Sequence, residues 1–140
     1  MELLTSMKSK FPYGVSSSVG FGIIPTIFLW LKVESPSGLI SFSFLFDTGA
    51  DVTSFPVSSA EKLGIDLDKC PQEPMTGYEG TTILVYKSQI KINFNKRSLT
   101  VPCVFNPNEE VPILLGRAGI LNRFNIILDG KNKEITFEEI

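Results

Sequence analysis

Hydrophobic residues at strand spacing dominate this sequence from residue 27 onward. Residues 27–33 and 39–46 are two runs of aliphatic, aromatic and β-branched residues, and the phenylalanines of the second run alternate so that they share one face. Between the runs, residues 34–38 contain proline and glycine at positions typical of a turn. The pattern predicts an antiparallel hairpin whose second strand runs directly into Asp47.

The rest of the chain repeats this style of short strands and tight turns. A short helical turn is predicted at residues 58–63, before Gly64, and a helix at 117–123, where apolar residues are spaced to bury one face. We therefore expect one all-β, barrel-like domain over residues 21–140, with one short C-terminal helix, preceded by a loosely ordered arm over residues 1–20. Further strands are predicted at residues 81–86, 88–94, 99–105, 113–115, 125–128 and 134–137.

One apolar segment, residues 19–33, resembles the start of a signal peptide or a membrane span because it follows two lysines. It is short, it is interrupted by two glycines and a proline, and no small-residue cleavage site follows it. We interpret it as a buried strand with its lead-in, and we expect no stable membrane span. The absence of export features predicts a cytoplasmic protein.

Composition removes several kinds of chemistry. The 140 residues include no histidine, so neither a Ser-His nor a Cys-His dyad can form. Cys70 and Cys103 with carboxylates would be a poor zinc set, and no metal site or cofactor is predicted. Two thiols in a chain of this size favour free cysteines over the alternative of one disulfide. A net charge of −2 argues against nucleic acid as a partner.

The segment after the second strand has the character of a loop that presents a carboxylate. Asp47 stands between Phe46 and the small residues Thr48, Gly49 and Ala50. Glycine allows a tight turn whose N–H groups point at the carboxylate, and threonine offers a hydroxyl to a neighbouring loop. An ordinary turn at a strand end is the simpler alternative.

Residues 46–51 resemble the active-site loop of the retropepsin-like aspartic proteases. Residues 113–117, with the predicted helix after them, are similar to the second signature of that family, an apolar strand followed by glycine and a helix beneath the loop. A glycine-bearing hairpin lies between the two signatures, where the family has its flap. The resemblance extends over about residues 25–128 and implies a small closed barrel of the retropepsin type with a flap hairpin.

The resemblance also implies roles for individual residues. Asp47 is the expected catalytic carboxylate, Thr48 contacts the loop of a partner, and Gly49 contacts substrate. Asp51, Arg117 and Gly116 are expected to brace the loop, with exposed surface charges as the less favoured alternative for Asp51 and Arg117. The polar flap tip differs from the apolar tip that is frequent in viral members. The remaining expected substrate contacts are Ala50, Asp51, Met75, Gly77, Tyr78, Gly80, Pro112 and Leu114.

Aspartic protease chemistry needs two carboxylates, and this chain has one Asp-Thr-Gly and no internal repeat. The resemblance therefore implies an aspartic endopeptidase that acts as a homodimer on an extended, apolar peptide or protein substrate, with Asp47 of each copy at the two-fold axis. The main alternative is a non-catalytic, dimeric peptide-binding or scaffold module of the same fold. A barrel of another family that binds a small ligand is a third.

Overall fold

A computed structural model of the chain describes residues 8–77 and 79–140, and nearly all of their regular structure is β-strand. The prediction of an all-β fold is confirmed. One short α-helix, α1 (Ser58–Lys62), and a 3-10 turn (Leu67–Lys69) are the helical elements of the described residues. The strands are β1 (Lys8–Pro12), β2 (Gly14–Ser18), β3 (Gly22–Thr26), β4 (Phe28–Ser35), β5 (Gly38–Phe46), β6 (Thr53–Pro56), β7 (Gln72–Thr76), β8 (Thr82–Phe94), β9 (Arg97–Asn106), β10 (Leu114–Leu115), β11 (Phe124–Asp129) and β12 (Glu134–Glu139).

The main sheet has the strand order β4-β5-β10-β6-β9-β8-β7, and β4 also pairs with β8. This additional pairing closes the sheet on itself. Its neighbours are antiparallel except for β10 beside β5 and β6 beside β9, which run parallel. A second sheet has the order β1-β12-β11, and β2 and β3 form a separate two-stranded hairpin.

The β4–β5 hairpin follows its predicted alternation. On β4, Leu29, Leu31 and Val33 are buried, whereas the residues between them are exposed. On β5, Phe42 and Phe44 are buried on the corresponding face. The strands predicted at residues 88–94, 99–105, 125–128 and 134–137 are also present, and they pair as the β8–β9 and β11–β12 hairpins.

Aromatic rings pack in two groups within the hydrophobic core. Phe55 packs against Phe44 and Phe105, each with a ring-centroid distance of 5.6 Å. In the second group, Phe137 packs against Phe94 and against Phe46, both at 5.4 Å. Burial of one phenylalanine side chain stabilises a fold by about 1.5–3 kcal/mol. Because Phe46 directly precedes Asp47, this packing also fixes the end of β5 from which the candidate catalytic loop leaves.

The prediction of a loosely ordered arm over residues 1–20 is wrong for residues 8–18. β1 pairs antiparallel with β12 along its whole length, and Ser9 is buried. The Ser9 hydroxyl accepts a hydrogen bond of 2.6 Å from the Asn95 side-chain amide. The mixed polar and apolar composition of this segment did not indicate a strand. The segment is ordered by pairing with β12, which lies at the other end of the sequence. Residues 1–7 lie outside the described part of the chain.

The interpretation of residues 19–33 as a buried strand is only partly right. β4 is half-buried as expected, but the lead-in is the β2–β3 hairpin, and its apolar side chains face outward. Val19 is 103% exposed, Phe21 82% and Ile23 73%. Apolar composition predicted burial, but β2 and β3 pair only with each other, so neither strand is hydrogen-bonded into the barrel sheet.

The predicted C-terminal helix at residues 117–123 is also wrong, since these residues form consecutive turns. Gly119 has φ +80°, which a right-handed helix does not allow. The apolar spacing was informative about burial alone, because Ile120 and Phe124 are both buried. By contrast, the short helical turn predicted before Gly64 is present as α1, and Gly64 ends it with φ +68°.

Candidate active site

Asp47 directly follows β5, and the neighbouring strand β10 holds its backbone. β10 lies parallel to β5, with Leu115 beside Phe46, and the Asp47 N–H donates a hydrogen bond of 3.1 Å to the Leu115 carbonyl oxygen. Two residues earlier on each strand, Leu45 N–H donates a hydrogen bond of 2.8 Å to the Ile113 carbonyl oxygen. The predicted short apolar strand at residues 113–115 is therefore the element that sets the position of Asp47.

The residues after Asp47 fold back toward its own carboxylate. Gly49 N–H donates a hydrogen bond of 2.8 Å to Asp47 Oδ1, and Ala50 N–H donates one of 3.1 Å to the Asp47 carbonyl oxygen. A Cβ atom at residue 49 would lie 3.1 Å from Asp47 Oδ1, which is tighter than most Cβ contacts. The turn thus leaves one carboxylate oxygen hydrogen-bonded to the loop, while the half-buried side chain lines a cavity.

Arg117 connects the two predicted signatures. Its guanidinium donates through Nη1 to the Thr48 carbonyl oxygen at 3.2 Å and through Nη2 to the Asp51 carboxylate. Its backbone N–H donates to the Ala50 carbonyl oxygen at 2.9 Å, and Ala118 N–H donates to the Asp51 carbonyl oxygen at 2.9 Å. The residues after β10 therefore hold the loop through both backbone and side chain, and this backbone pairing takes the place of the predicted helix.

Gly116 lies where two backbone segments approach closely. A Cβ atom at this position would overlap the Val52 carbonyl group and lie 2.8 Å from Val52 Cα. Gly116 N–H also donates to the buried Thr53 hydroxyl at 3.2 Å. The backbone of Gly116 is not left-handed, so its conformation does not require glycine. Glycine is needed because any larger side chain would overlap the Val52 backbone.

A cavity of about 870 Å³ opens beside Asp47. The loop forms one wall, and the end of the β7–β8 hairpin forms another. Of the predicted site residues, those that line the cavity are Asp47, Gly49, Ala50, Asp51, Met75, Gly77 and Leu114. This volume is within the range of sites that enclose a sizeable ligand.

Several predicted contacts do not line this cavity. Thr48 and Pro112 are exposed, and Gly80 does not line the cavity although its neighbours Glu79 and Thr81 do. Gly116 and Arg117 contact the residues around the loop and do not line the cavity. Tyr78, the remaining predicted contact, lies outside the described residues. The predicted substrate contacts omitted Glu79, which belongs to the predicted flap segment, residues 75–80, and lines the cavity.

Apolar strand residues of the cavity wall were missed as well. Ile83 and Val85 line it from β8, and Val104 lines it from β9. The spacing of Ile83 and Val85 shows that they share one face of β8. Only the pairing of β8 with β7 and β9 brings that face to Asp47.

The turn of the β11–β12 hairpin accounts for the other Asp-Gly pair, Asp129-Gly130. The Asp129 carboxylate accepts hydrogen bonds from the backbone N–H groups of Asn132 and Lys131, at 3.0 and 3.1 Å, and from the Asn132 side-chain amide at 2.7 Å. The Asn132 backbone N–H, followed by the Asn132 side chain, lowers the pKa of Asp129. This carboxylate closes the turn of the β11–β12 hairpin.

Both cysteines are free thiols, as predicted. Neither of them lines the cavity. Burial, and secondarily the nearby Cys70, raises the pKa of Cys103 to about 12. Within residues 8–77 and 79–140, no three His, Cys, Asp or Glu side chains are grouped to hold a metal ion. In the same ranges, no helix has the length and apolar character needed to cross a membrane.

Comparison with known proteins agrees with this geometry. Residues 33–118, well over half of the chain, match the family model described as aspartyl protease. The crystal structure of a retropepsin-like aspartic protease from Rickettsia conorii superposes with a TM-score of 0.61, covering 99% of this chain and 98% of that one, at 18% sequence identity. A search of curated proteins found no match. At that identity the structural likeness establishes the fold, and the family match establishes the rest: the chain belongs to the aspartyl protease family and has a retropepsin-like fold.

Proposed function

We propose that this protein is an aspartic endopeptidase that acts as a homodimer, with Asp47 of each copy forming the catalytic pair. The observation that carries the proposal is the position of Asp47, whose carboxylate is held by the Gly49 N–H at the wall of a peptide-sized cavity. A family match and a protease-like fold support the same conclusion.

The need for a second copy follows from the chemistry. Two carboxylates within hydrogen-bond distance cannot both ionise, so they share one proton and act as an acid and a base together. The chain has a single Asp-Thr-Gly, and Asp129 is engaged in a turn. A two-fold axis beside Asp47 brings the same carboxylate from a second chain. Thr48, exposed on the loop, then faces the loop of the partner.

In the proposed mechanism, the ionised Asp47 takes a proton from a water molecule as that water attacks the carbonyl carbon of the peptide bond. The protonated Asp47 of the other copy donates a hydrogen bond to the carbonyl oxygen as it gains charge. Collapse of the tetrahedral intermediate breaks the C–N bond, and a carboxyl proton passes to the leaving amine. The chain itself forms no covalent bond with substrate.

The proposed substrate is an extended peptide bound between the loop and the β7–β8 hairpin, which acts as the flap. Backbone N–H and carbonyl groups of an extended peptide pair with such a hairpin, and alternate side chains enter pockets. Apolar walls from Val52, Val104, Val111 and Leu114 favour apolar side chains beside the cleaved bond.

The first test is cleavage of an apolar peptide library across pH by the wild type and by Asp47→Asn. We expect cleavage by the wild type in the pH range where one carboxylate of the pair is ionised and the other protonated, with a loss of at least about 10³-fold in Asp47→Asn. Cleavage that survives the substitution would exclude the mechanism. No cleavage by an intact wild-type dimer would favour the non-catalytic peptide-binding alternative.

A second test counts the carboxylates in one site. Wild-type and Asp47→Asn chains are mixed in equal amounts and allowed to exchange subunits. If each site needs Asp47 from both chains, activity per total protein falls to about one quarter of the wild-type value, the fraction of dimers with two wild-type chains. A value of about one half would show that each chain acts alone.

A further inference from the structure

The β2–β3 hairpin exposes several large apolar side chains. Its tip, between Ser18 and Gly22, carries Val19 and Phe21, which are 103% and 82% exposed. Val15 and Ile23, on its strands, are 64% and 73% exposed. Residues 11–31 contain no charged side chain. An uncharged, apolar projection of this kind marks an interaction site more often than a surface that remains in water.

The hairpin has little support of its own. β2 and β3 pair only with each other, and an isolated two-stranded hairpin is marginally stable in water. At its base, a Cβ atom on Gly14 would lie 3.2 Å from the Phe28 ring and from the Thr26 carbonyl oxygen. The base is therefore packed against the barrel, while the apolar tip projects from it.

The base of the hairpin lies beside the catalytic loop. The Ile27 carbonyl oxygen accepts a hydrogen bond of 3.0 Å from Phe46 N–H, and Phe28 stands opposite Leu45 in the sheet. The chain before Phe28 therefore passes beyond the same end of β5 at which Asp47 begins. No residue of the hairpin lines the cavity, so it does not cover the site of its own chain.

We infer that the β2–β3 hairpin is a dimerisation arm that docks its apolar tip on a second copy of this chain. The inference rests on the proposed function in one respect, the two-fold axis beside Asp47. An element rooted next to that axis meets the partner by symmetry. A stable interface buries about 800 Å² on each partner. The five-residue loop that carries Asp47 is too small to supply this area alone, and the two arms supply additional apolar area.

A membrane is the other surface that an apolar hairpin can meet. Interfacial anchors carry Lys or Arg beside their apolar residues to meet anionic headgroups. The hairpin and both of its flanks, from residue 11 to residue 31, have none. The uncharged composition favours a protein surface, and the requirement for a second carboxylate specifies which protein.

The test compares the double variant Phe21→Ser/Ile23→Ser with Leu39→Ser, in the full chain. Leu39 is a matched control because it is 53% exposed and lies at the opposite end of β5 from Phe46. Dimer dissociation constants are measured by analytical ultracentrifugation, with circular dichroism to confirm that each variant is folded. We expect the dissociation constant of the double variant to rise about tenfold or more, with no change for Leu39→Ser.

An unchanged dissociation constant in the double variant would overturn the inference, as would a wild type that is monomeric at all concentrations. Vesicles of phosphatidylcholine and phosphatidylserine test the other occupant, and Phe21-dependent vesicle binding with unaltered dimerisation would also overturn it. Because sedimentation is measured without substrate, a wild-type dimer that fails to cleave peptides would contradict the proposed function and leave the arm intact.

Discussion

Arg117 and Asp51 form an ion pair across the base of the loop that carries Asp47, although 66 residues separate them in the sequence. The same guanidinium donates to the Thr48 carbonyl oxygen, so one side chain holds two points of the loop. The pair is exposed, at 45% for Arg117 and 75% for Asp51, and exposed ion pairs contribute at most about 1 kcal/mol to folding. Its effect should therefore be on the position of the loop more than on stability.

Arg117→Lys tests this separation between position and stability. A lysine retains the charge but cannot donate in a fork to both Asp51 and the Thr48 carbonyl oxygen. We expect the free energy of unfolding to change by less than about 1 kcal/mol, whereas kcat falls about tenfold or more because Asp47 is misplaced. Urea unfolding and steady-state peptide cleavage give the two values. Equal kcat in the two proteins would assign Arg117 to the surface charges.

Gly116→Ala tests the close approach of β10 to the Val52 backbone. The added methyl group would overlap the Val52 carbonyl, and backbone cannot move aside as a flexible side chain does. We expect a loss of about 1–3 kcal/mol in the free energy of unfolding, the usual cost of overpacking. Gly130→Ala is the matched control, since nothing lies within 4 Å of its added Cβ and its φ is not left-handed. Similar losses in both variants, measured in urea, would refute the packing argument.

The sequence predicted those parts of the fold that local pattern controls. Buried and exposed residues alternate along the strands of the β4–β5 hairpin, and this period of two is recognisable in the sequence. The 113–115 strand was predicted from its apolar run, and the glycine-bearing hairpin that precedes it supported the family resemblance. The prediction of a helix at residues 117–123 was wrong because Ile120 and Phe124 have helical spacing and are both buried, yet the chain between them forms turns.

What could not be predicted depends on long-range pairing. β1 reads as an arm until β12, more than 120 residues later, is placed beside it. Val104 cannot be distinguished from other strand residues in the sequence, and only the folded chain brings it to the cavity that Asp47 lines. The exposure of Phe21 could not be predicted either. An apolar side chain indicates burial, but it does not indicate whether its own chain or another chain buries it.

The charges of the cavity predict a preference among substrates. Asp47, Asp51 and Glu79 line it, and no Lys or Arg is among the described lining residues. We therefore expect a peptide with lysine near the hairpin tip to be cleaved with higher kcat/KM than its glutamate counterpart. Glu79→Gln should reduce that ratio by up to about fivefold, the size of an exposed charge pair. Glu61→Gln, on α1 and outside the cavity, is the control, and an unchanged ratio in Glu79→Gln would contradict the prediction.

Cys103 predicts a specific alkaline weakness of the fold. Burial, and then the nearby Cys70, raises the pKa of its thiol from 9.0 to about 12. The folded state therefore keeps a proton that the unfolded state releases above pH 9, so this contribution to stability is complete below pH 9 and is lost as the pH rises toward 12. Cys103→Ala removes this titration, although it also opens a small cavity that is independent of pH. We expect the difference in unfolding free energy between wild type and variant to shrink between pH 9 and 12, as measured by urea unfolding. A difference that stays constant over that range would show that the Cys103 thiol ionises equally in the folded and unfolded chains.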